Sequence, residues 1–435
     1  GPEQAAHPWR GRITVSPAPG LPGSPDKSTG VLADIASFVG TAAPAHFTIA
    51  GESVLYAGPA EWTLRRQVLH YAHLCKAAGG VDAFVIGSEL RGLTQLRSAT
   101  SDYPFVAALV ALAADVKSVL GPGTAVTYAA DWSEYFGHQP ADGSADAHFH
   151  LDPLWASPDI DAIGIDIYWP LADWRDGLEH RDALDGAAST YALDYLKANI
   201  SGGEGYDWYY ASDADRAAQV RSPITDGAGK PWVFRFKDIR NWWANPHFDR
   251  PGGSESTTPT AWSPQSKPIW FTEMGCPAVD KGANQPNVFF DSKSSESRPP
   301  HFSRGTRDDL VQRRYLQALL ETFDPATPAF LTEDNPLSSH YAGRMVDASR
   351  MFAYTWDARP YPAFPEDTET WSDSGNWTFG HWLNGRTASA PLADLVARLL
   401  TDYGFSDHDA SRLTGTATGF VIDRTGLVLT NEHVV

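Results

Sequence analysis

The sequence predicts an α/β fold, a (β/α)₈ TIM barrel built on parallel strands. Five short apolar runs each carry a charged residue at or near the carboxyl end, helical patterns separate several of them, and none is followed by a GxGxxG turn. Near-continuous runs of β-branched and aromatic residues are typical of parallel strands that are covered on both faces. The lack of a glycine-rich turn disfavours the alternative, a doubly wound dinucleotide-binding sheet.

The predicted strands and helices alternate along much of the chain. The strands are VDAFVIGSEL (81–90), AVTYAADW (125–132), DAIGIDIYWP (161–170), KPIWFTEMG (267–275) and MFAYTWD (351–357). Helices are predicted at 61–80, before the first strand, at 103–121 and at 306–323. The first of these ends at Gly79 and Gly80, and a glycine commonly stops a helix because it adopts the left-handed backbone conformation.

The chain has few strand candidates before residue 81. They are RITVSP (12–17) and the weak pair HFTIA and SVLYAG, which lie within residues 46–58. If Glu89 ends the fourth strand of a barrel, three strands precede it, so we expect the chain to lack the opening of its barrel.

Two long stretches, about 171–266 and 276–306, interrupt the regular spacing. Insertions on the carboxyl-end face of a barrel either shape a substrate groove or dock on a neighbouring protein. We therefore expect an incomplete barrel over residues 1–395 with an insertion at about 171–266, and a separate segment over residues 396–435.

The composition limits the classes of partner. The formal net charge of −19 disfavours nucleic acid and anionic membranes, and favours a neutral polymer or a protein. Sixteen tryptophans suit either sugar stacking or a large aromatic core. The two cysteines, Cys75 and Cys276, form neither a disulfide framework nor a zinc pattern. No apolar run is long enough for a membrane span, and we predict no cofactor.

Two glutamates stand at the ends of predicted strands, Glu89 in GSEL and Glu273 in FTEMG. Charged side chains are almost never buried without a partner, so these acids are either functional or ion-paired at the barrel rim. Glycoside cleavage needs one carboxyl that donates a proton to the leaving oxygen and another that attacks the anomeric carbon or activates water. We therefore predict that Glu89 and Glu273 are two catalytic carboxylates.

Other strand ends supply candidate substrate-binding residues. A tyrosine hydroxyl orients a carboxylate and a tryptophan ring stacks on a sugar, although both residues also pack in cores. The predicted substrate contacts are Asp131, Trp132, Asp166, Tyr168, Trp169, Trp356 and Asp357.

Two histidines, His148 and His150 in AHFHLDP, raise the question of a metal site. A catalytic zinc site usually shows a helical motif that joins histidines to a carboxylate, and none accompanies this pair. We predict no metal.

Several segments resemble the TIM-barrel-like domain of gene transfer agent and phage tail baseplate proteins. They are PWRGRIT (8–14), GGVDAFVIGSELRGLT (79–94), YAADWSEYFG (128–137), FHLDPLWAS (149–157), IGIDIYWPLADWR (163–175), NPHFDRPGG (245–253) and KPIWFTEMGCPAVDKGANQPNVF (267–289). The acids also resemble those of clan A retaining glycoside hydrolases, in which the acid/base follows the fourth strand and the nucleophile the seventh. Ser88 stands where that clan usually has Asn.

The resemblance implies that Glu89 is the general acid/base and Glu273 the nucleophile, at a carboxyl separation of about 5–5.5 Å. It implies a tail or baseplate protein that is made in the cytoplasm and acts at the target cell envelope, on a polysaccharide such as peptidoglycan, with other tail proteins as partners. It also implies strands before PWRGRIT. The alternative is a catalytically inactive structural component of the baseplate.

The C-terminal segment carries a second resemblance. DLVARLLTDYGF suits a module that follows the barrel in tail proteins, but GFVIDRTGLVLTNEHVV (419–435) resembles the opening of an HtrA-type trypsin-like protease, with His433 at the place of the triad histidine. The triad also needs an Asp and a Ser further along the chain, so we expect no protease activity from residues 1–435.

Overall fold

A computed structural model describes residues 9–288, 298–354 and 363–370, and the backbone of residues 419–421 and 428–430. The chain divides into two compact units. The first comprises residues 1–167, 224–274 and 320–353, and the second comprises residues 168–223, 275–319 and 354–435.

The strands confirm the predicted α/β class. In chain order they are β1 (Phe47–Ala50), β2 (Ser53–Tyr56), β3 (Ala83–Ser88), β4 (Ala125–Asp131), β5 (Ile163–Ile167), β6 (Trp208–Tyr209), β7 (Ser222–Pro223), β8 (Ile269–Met274), β9 (Val346–Ala353), β10 (Gly419–Val421) and β11 (Val428–Thr430). Five of them form a parallel sheet in the first unit, in the order β3-β4-β5-β8-β9. These five correspond to the five predicted strands, although β9 begins earlier than predicted and residues 355–357 lie outside the described part.

The N-terminal β candidates fold differently from barrel strands. β1 and β2 form an antiparallel hairpin that pairs Phe47 with Tyr56. The strand predicted at 12–17 is wrong, because Trp9–Arg12 is a turn of 3-10 helix and the following residues are irregular. Pro17 lacks the backbone N–H that a strand ladder needs.

The predicted long helices are present with slightly shorter bounds. The helices are α1 (Val31–Val39), α2 (Leu64–Ala77), α3 (Arg91–Thr94), α4 (Pro104–Leu120), α5 (Asp152–Trp155), α6 (Arg181–Leu184), α7 (Leu193–Ala198), α8 (Asp213–Ala218), α9 (Ile239–Ala244), α10 (Asp309–Phe323) and α11 (Ala363–Glu366). α4 begins at a proline, whose fixed φ suits a first turn, and is followed by Gly121 with φ +87°. No helix in the described ranges has the length and apolarity of a membrane span.

The core of the first unit surrounds the parallel sheet, and α2 packs against α4. Every residue of β5 is buried, as expected for a central parallel strand. Gly164 lets β5 approach β4 closely, because a Cβ there would lie 2.5 Å from the carbonyl oxygen of Tyr128. The close pairing holds the carboxyl ends of neighbouring strands at one edge of the sheet.

The second unit contains residues 171–223 of the predicted insertion, while residues 224–266 belong to the first unit. In the second unit β6 and β7 form a short antiparallel pair. The Asp173 carboxylate there accepts hydrogen bonds from Tyr210 at 2.6 Å and Arg221 at 2.9 Å. These bonds order an insertion that has little regular structure of its own.

The C-terminal segment is described only as backbone at β10 and β11, which pair antiparallel. This antiparallel pair lies within the stretch that resembles a protease opening.

Candidate active site

Acidic residues gather at the carboxyl ends of four neighbouring strands. The register pairs Asp131 with Asp166 across β4 and β5, and Asp166 with Glu273 across β5 and β8. Glu89 follows the last residue of β3. One carboxylate oxygen from each of Glu89, Asp166 and Glu273 lies within 4.8 Å of the others. The folded sheet therefore brings together two acids that are 184 residues apart in the sequence, with a third between them.

The backbone at Glu89 makes a sharp left-handed turn, with φ +52°. A non-glycine residue in this region costs about 1–2 kcal/mol. The turn is held on both sides, since the Glu89 N–H donates to the Ala129 carbonyl at 2.8 Å and the Leu90 N–H donates to the Tyr128 hydroxyl at 2.7 Å. The strain lies at the candidate catalytic residue, which is where functional sites commonly store it.

A buried hydrogen-bond network centred on Glu134 supports this turn. The Tyr128 hydroxyl donates to Glu134 Oε1 at 3.0 Å, Thr94 donates to the same atom at 2.5 Å, and the Asp131 N–H donates to Oε2 at 3.1 Å. Burial raises the pKa of Glu134 to about 7, partly offset by the hydrogen bond from Thr94. Sequence reasoning missed Glu134, although its place three residues after Asp131, among aromatic residues, was a usable signal.

The Arg10 guanidinium lies against the Glu89 carboxyl and donates a hydrogen bond from Nη2 to Oε2 at 2.9 Å. The same guanidinium donates to the Ser88 carbonyl and to Ser88 Oγ, both at 3.0 Å. Its turn packs closely on α3 because Gly92 has no side chain: a Cβ there would lie 2.4 Å from the Gly11 carbonyl oxygen. Sequence reasoning missed Arg10 as a site residue, since no local pattern links positions so far apart.

The Glu89 carboxyl holds its proton to unusually high pH. Its pKa is raised to about 8, first by burial, and then by the negative charges of Asp166, Asp131 and Glu273. The positive charge of Arg10 acts in the opposite direction without cancelling these effects. Glu89 is therefore mostly protonated at neutral pH, the state that a proton donor needs.

Asp166 lies between the two glutamates and is fully buried. Its carboxylate accepts hydrogen bonds from Thr272 Oγ1 at 2.6 Å and from Ser88 Oγ at 3.1 Å. Its pKa is raised to about 7, mainly by burial and then by the charge of Glu273, while the two hydroxyl groups act to lower it.

The remaining predicted contacts have different surroundings. In the first unit the half-buried Asp131 accepts a hydrogen bond from the Ser133 N–H at 2.7 Å, and the Trp132 ring packs against Phe236 with centroids 4.6 Å apart.

In the second unit Tyr168 is buried and Trp169 is fully buried. The prediction that Trp169 contacts the substrate does not fit this conformation, because its side chain is fully buried. Trp356 and Asp357 lie outside the described residues.

Within the described ranges, the oxygens of the three clustered carboxylates lie close enough to one another to share a hard cation. The guanidinium of Arg10 lies against one of them and compensates part of their negative charge, so we assign no metal ligand here. His148 and His150 are buried, and their rings pack around Tyr103 with centroids 5.9 and 5.3 Å away. Burial lowers the pKa of His150 to about 3, which keeps the imidazole neutral.

A parallel α/β sheet with acids at the carboxyl ends of its strands is an arrangement found in proteins of the TIM-barrel class. The chain belongs to the family described as the GTA TIM-barrel-like domain, which it matches over residues 62–365. This match confirms the resemblance seen in the sequence.

Two solved structures similar to the chain are "Structure of GH113 beta-1,4-mannanase" and "Complex structure of GH113 beta-1,4-mannanase". Each is 16% identical to this chain, with a TM-score of 0.27. The match covers 61% of this chain in both cases, and 50% of the chain in the first structure and 49% in the second. This chain therefore spans about half the length of either mannanase chain. No curated protein matched the chain.

Proposed function

We propose that this chain is a glycoside hydrolase domain of the retaining type, with Glu89 as general acid/base and Glu273 as nucleophile. The observation that carries the proposal is that a carboxyl oxygen of Glu89 lies within 4.8 Å of one of Glu273, and the raised pKa of Glu89 suits the role of proton donor. This spacing supports retention, because retaining enzymes hold their carboxyl groups about 5–5.5 Å apart, against about 6.5–9.5 Å in inverting enzymes.

The proposed reaction has two steps. In the first, the Glu273 carboxylate attacks the anomeric carbon, the glycosidic C–O bond breaks, and Glu89 gives its proton to the leaving oxygen. In the second, Glu89 takes a proton from water, the water oxygen attacks the anomeric carbon, and the bond to Glu273 breaks. The buried, acid-rich surroundings of Glu89 favour its protonated form before the first step.

We propose a cell-envelope polysaccharide as the substrate, peptidoglycan first, with the protein at the tail of a phage or gene transfer agent particle beside other tail proteins. The family supports this setting. The net charge of −19 supports a substrate that is not strongly anionic. Asp131, Trp132 and Tyr168 stay as proposed substrate contacts.

The test is hydrolysis of a panel of envelope and plant polysaccharides by the wild-type protein, a Glu273→Gln variant and a Glu52→Gln control. Glu52 is exposed in the turn between β1 and β2. We expect wild type and control to release reducing ends from at least one substrate, and the Glu273 variant to lose about a thousandfold or more in rate. Equal rates in all three proteins would contradict the assigned nucleophile.

A second candidate, a catalytically inactive structural component of the baseplate, is favoured by the close contact between the Arg10 guanidinium and the Glu89 carboxyl. A guanidinium on the proton-donating carboxyl stabilises its ionised form and occupies the space beside it. If wild type and an Arg10→Ala variant are both inactive on the whole panel, the structural role replaces the catalytic one.

A further inference from the structure

We propose that Asp166 is a positioning residue for this reaction, and that it fixes the spacing of the two glutamates by joining the residue before each of them. The inference rests on the proposed function, in which Glu89 and Glu273 react. It changes the sequence-based role of Asp166, which was contact with substrate.

The geometry is a carboxylate bridge across the sheet. One oxygen of Asp166 accepts a hydrogen bond from Ser88, the residue before Glu89, and the other accepts one from Thr272, the residue before Glu273. Since β4 and β5 separate β3 from β8, no backbone ladder joins the two catalytic strands directly. Asp166 supplies a side-chain link between them.

The burial of Asp166 argues against direct contact with a substrate. Its exposed fraction is 0%, and each carboxylate oxygen already has a hydroxyl partner. A buried carboxylate with satisfied oxygens is costly to keep unless its hydrogen bonds hold something in place. Here they hold the two strand ends that carry the glutamates.

The charge of Asp166 also acts on Glu89. The charged groups that face Glu89 are Arg10 from the N-terminal turn, Asp131 from β4, Asp166 from β5 and Glu273 from β8. Among these charges Asp166 contributes most to the raised pKa of Glu89, after burial. A neutral residue at this position would therefore let Glu89 lose its proton at lower pH.

The decisive variant is Asp166→Asn, which keeps the shape of the side chain and removes its charge. The pKa of Glu89 is measured from the ¹³C shift of its carboxyl in protein labelled at glutamate, with the resonance assigned by its loss in Glu89→Gln. We expect a fall of about one pH unit relative to wild type. Asp82→Asn is the matched control, since Asp82 is exposed just before β3, at the end of that strand opposite to Glu89.

Activity gives the second measurement. A general acid must be protonated, so the alkaline limb of the pH–rate profile should move toward acid by the same amount in Asp166→Asn. Thr272→Val, which removes one arm of the bridge, should lower kcat about tenfold with KM little changed.

An unchanged Glu89 pKa in Asp166→Asn overturns the inference, whether or not the protein hydrolyses any substrate. In an active protein, an unmoved alkaline limb overturns it as well. If the Glu89 pKa falls but no polysaccharide is cleaved, the bridge and its electrostatic effect stand and the proposed function fails.

Discussion

Glu89→Gln tests the buried acid through stability, without any need for a substrate. In the folded protein the pKa of Glu89 is about 8, against 4.5 for an unperturbed glutamate. Because the folded pKa is raised, the folded state keeps a proton that the unfolded state has released between these values. The free energy of unfolding of the wild type therefore falls as pH rises through this window, while Gln has no proton to lose.

The magnitude follows from the width of the window. Each pH unit between the two pKa values lowers the free energy of unfolding of the wild type by about 1.4 kcal/mol, so the whole window sets an upper limit of about 5 kcal/mol on this loss. Water and local relaxation stabilise an ionised carboxylate in practice, so the effect falls below this limit. We expect the free energy of unfolding of Glu89→Gln, measured relative to wild type, to rise by at least about 2 kcal/mol from pH 5 to pH 8.

The assay is urea unfolding followed by circular dichroism at pH 5 and pH 8. Comparing wild type with Glu89→Gln at both pH values cancels the other titrating groups, and the exposed Glu52→Gln variant controls for loss of a surface charge. A wild type–variant difference that stays constant between the two pH values would refute the reasoning, since it would mean that Glu89 titrates alike in the folded and unfolded states.

Three further predictions concern the supports of the site. Arg10→Ala should raise the pKa of Glu89 by about one pH unit in a carboxyl ¹³C titration, because it removes a half-exposed positive charge; no change would mean that solvent screens the pair. Gly164→Ala should lower the free energy of unfolding by about 3 kcal/mol, because the added Cβ would lie 2.5 Å from a backbone oxygen. Gly123 has open space around it, so the control Gly123→Ala should lower it by less than about 1 kcal/mol. Equal losses in thermal or urea unfolding would contradict this. Tyr128→Phe should cost about 1–3 kcal/mol, because a buried carboxyl and a backbone amide each lose a partner; an unchanged urea midpoint would show that they find other partners.

The parallel sheet and the convergence of the two glutamates were predictable from the sequence. Buried parallel strands appear as continuous apolar runs, and the carboxyl ends of such strands share one edge. Glu89 follows VIGS and Glu273 follows WFT, so the two acids were expected to lie close together, and they do.

The supporting residues were not predictable in the same way. The bridge made by Asp166 depends on strand register, and register is fixed by pairing rather than by local composition. Arg10 reaches Glu89 because its turn packs on α3 where Gly92 leaves room, a contact between distant parts of the chain. The burial of Trp169 likewise follows from tertiary packing, since a tryptophan after a strand suits a core as well as a groove.

The most direct test of the central claim is to trap the covalent intermediate. The protein is incubated with a panel of 2-deoxy-2-fluoro glycosides that carry good leaving groups, and the labelled peptide is located by mass spectrometry. We predict an added fluorosugar on Glu273, and none in Glu273→Gln. A sugar attached at another residue, or polysaccharide cleavage without any trapped sugar on Glu273, would contradict the proposed catalytic pair.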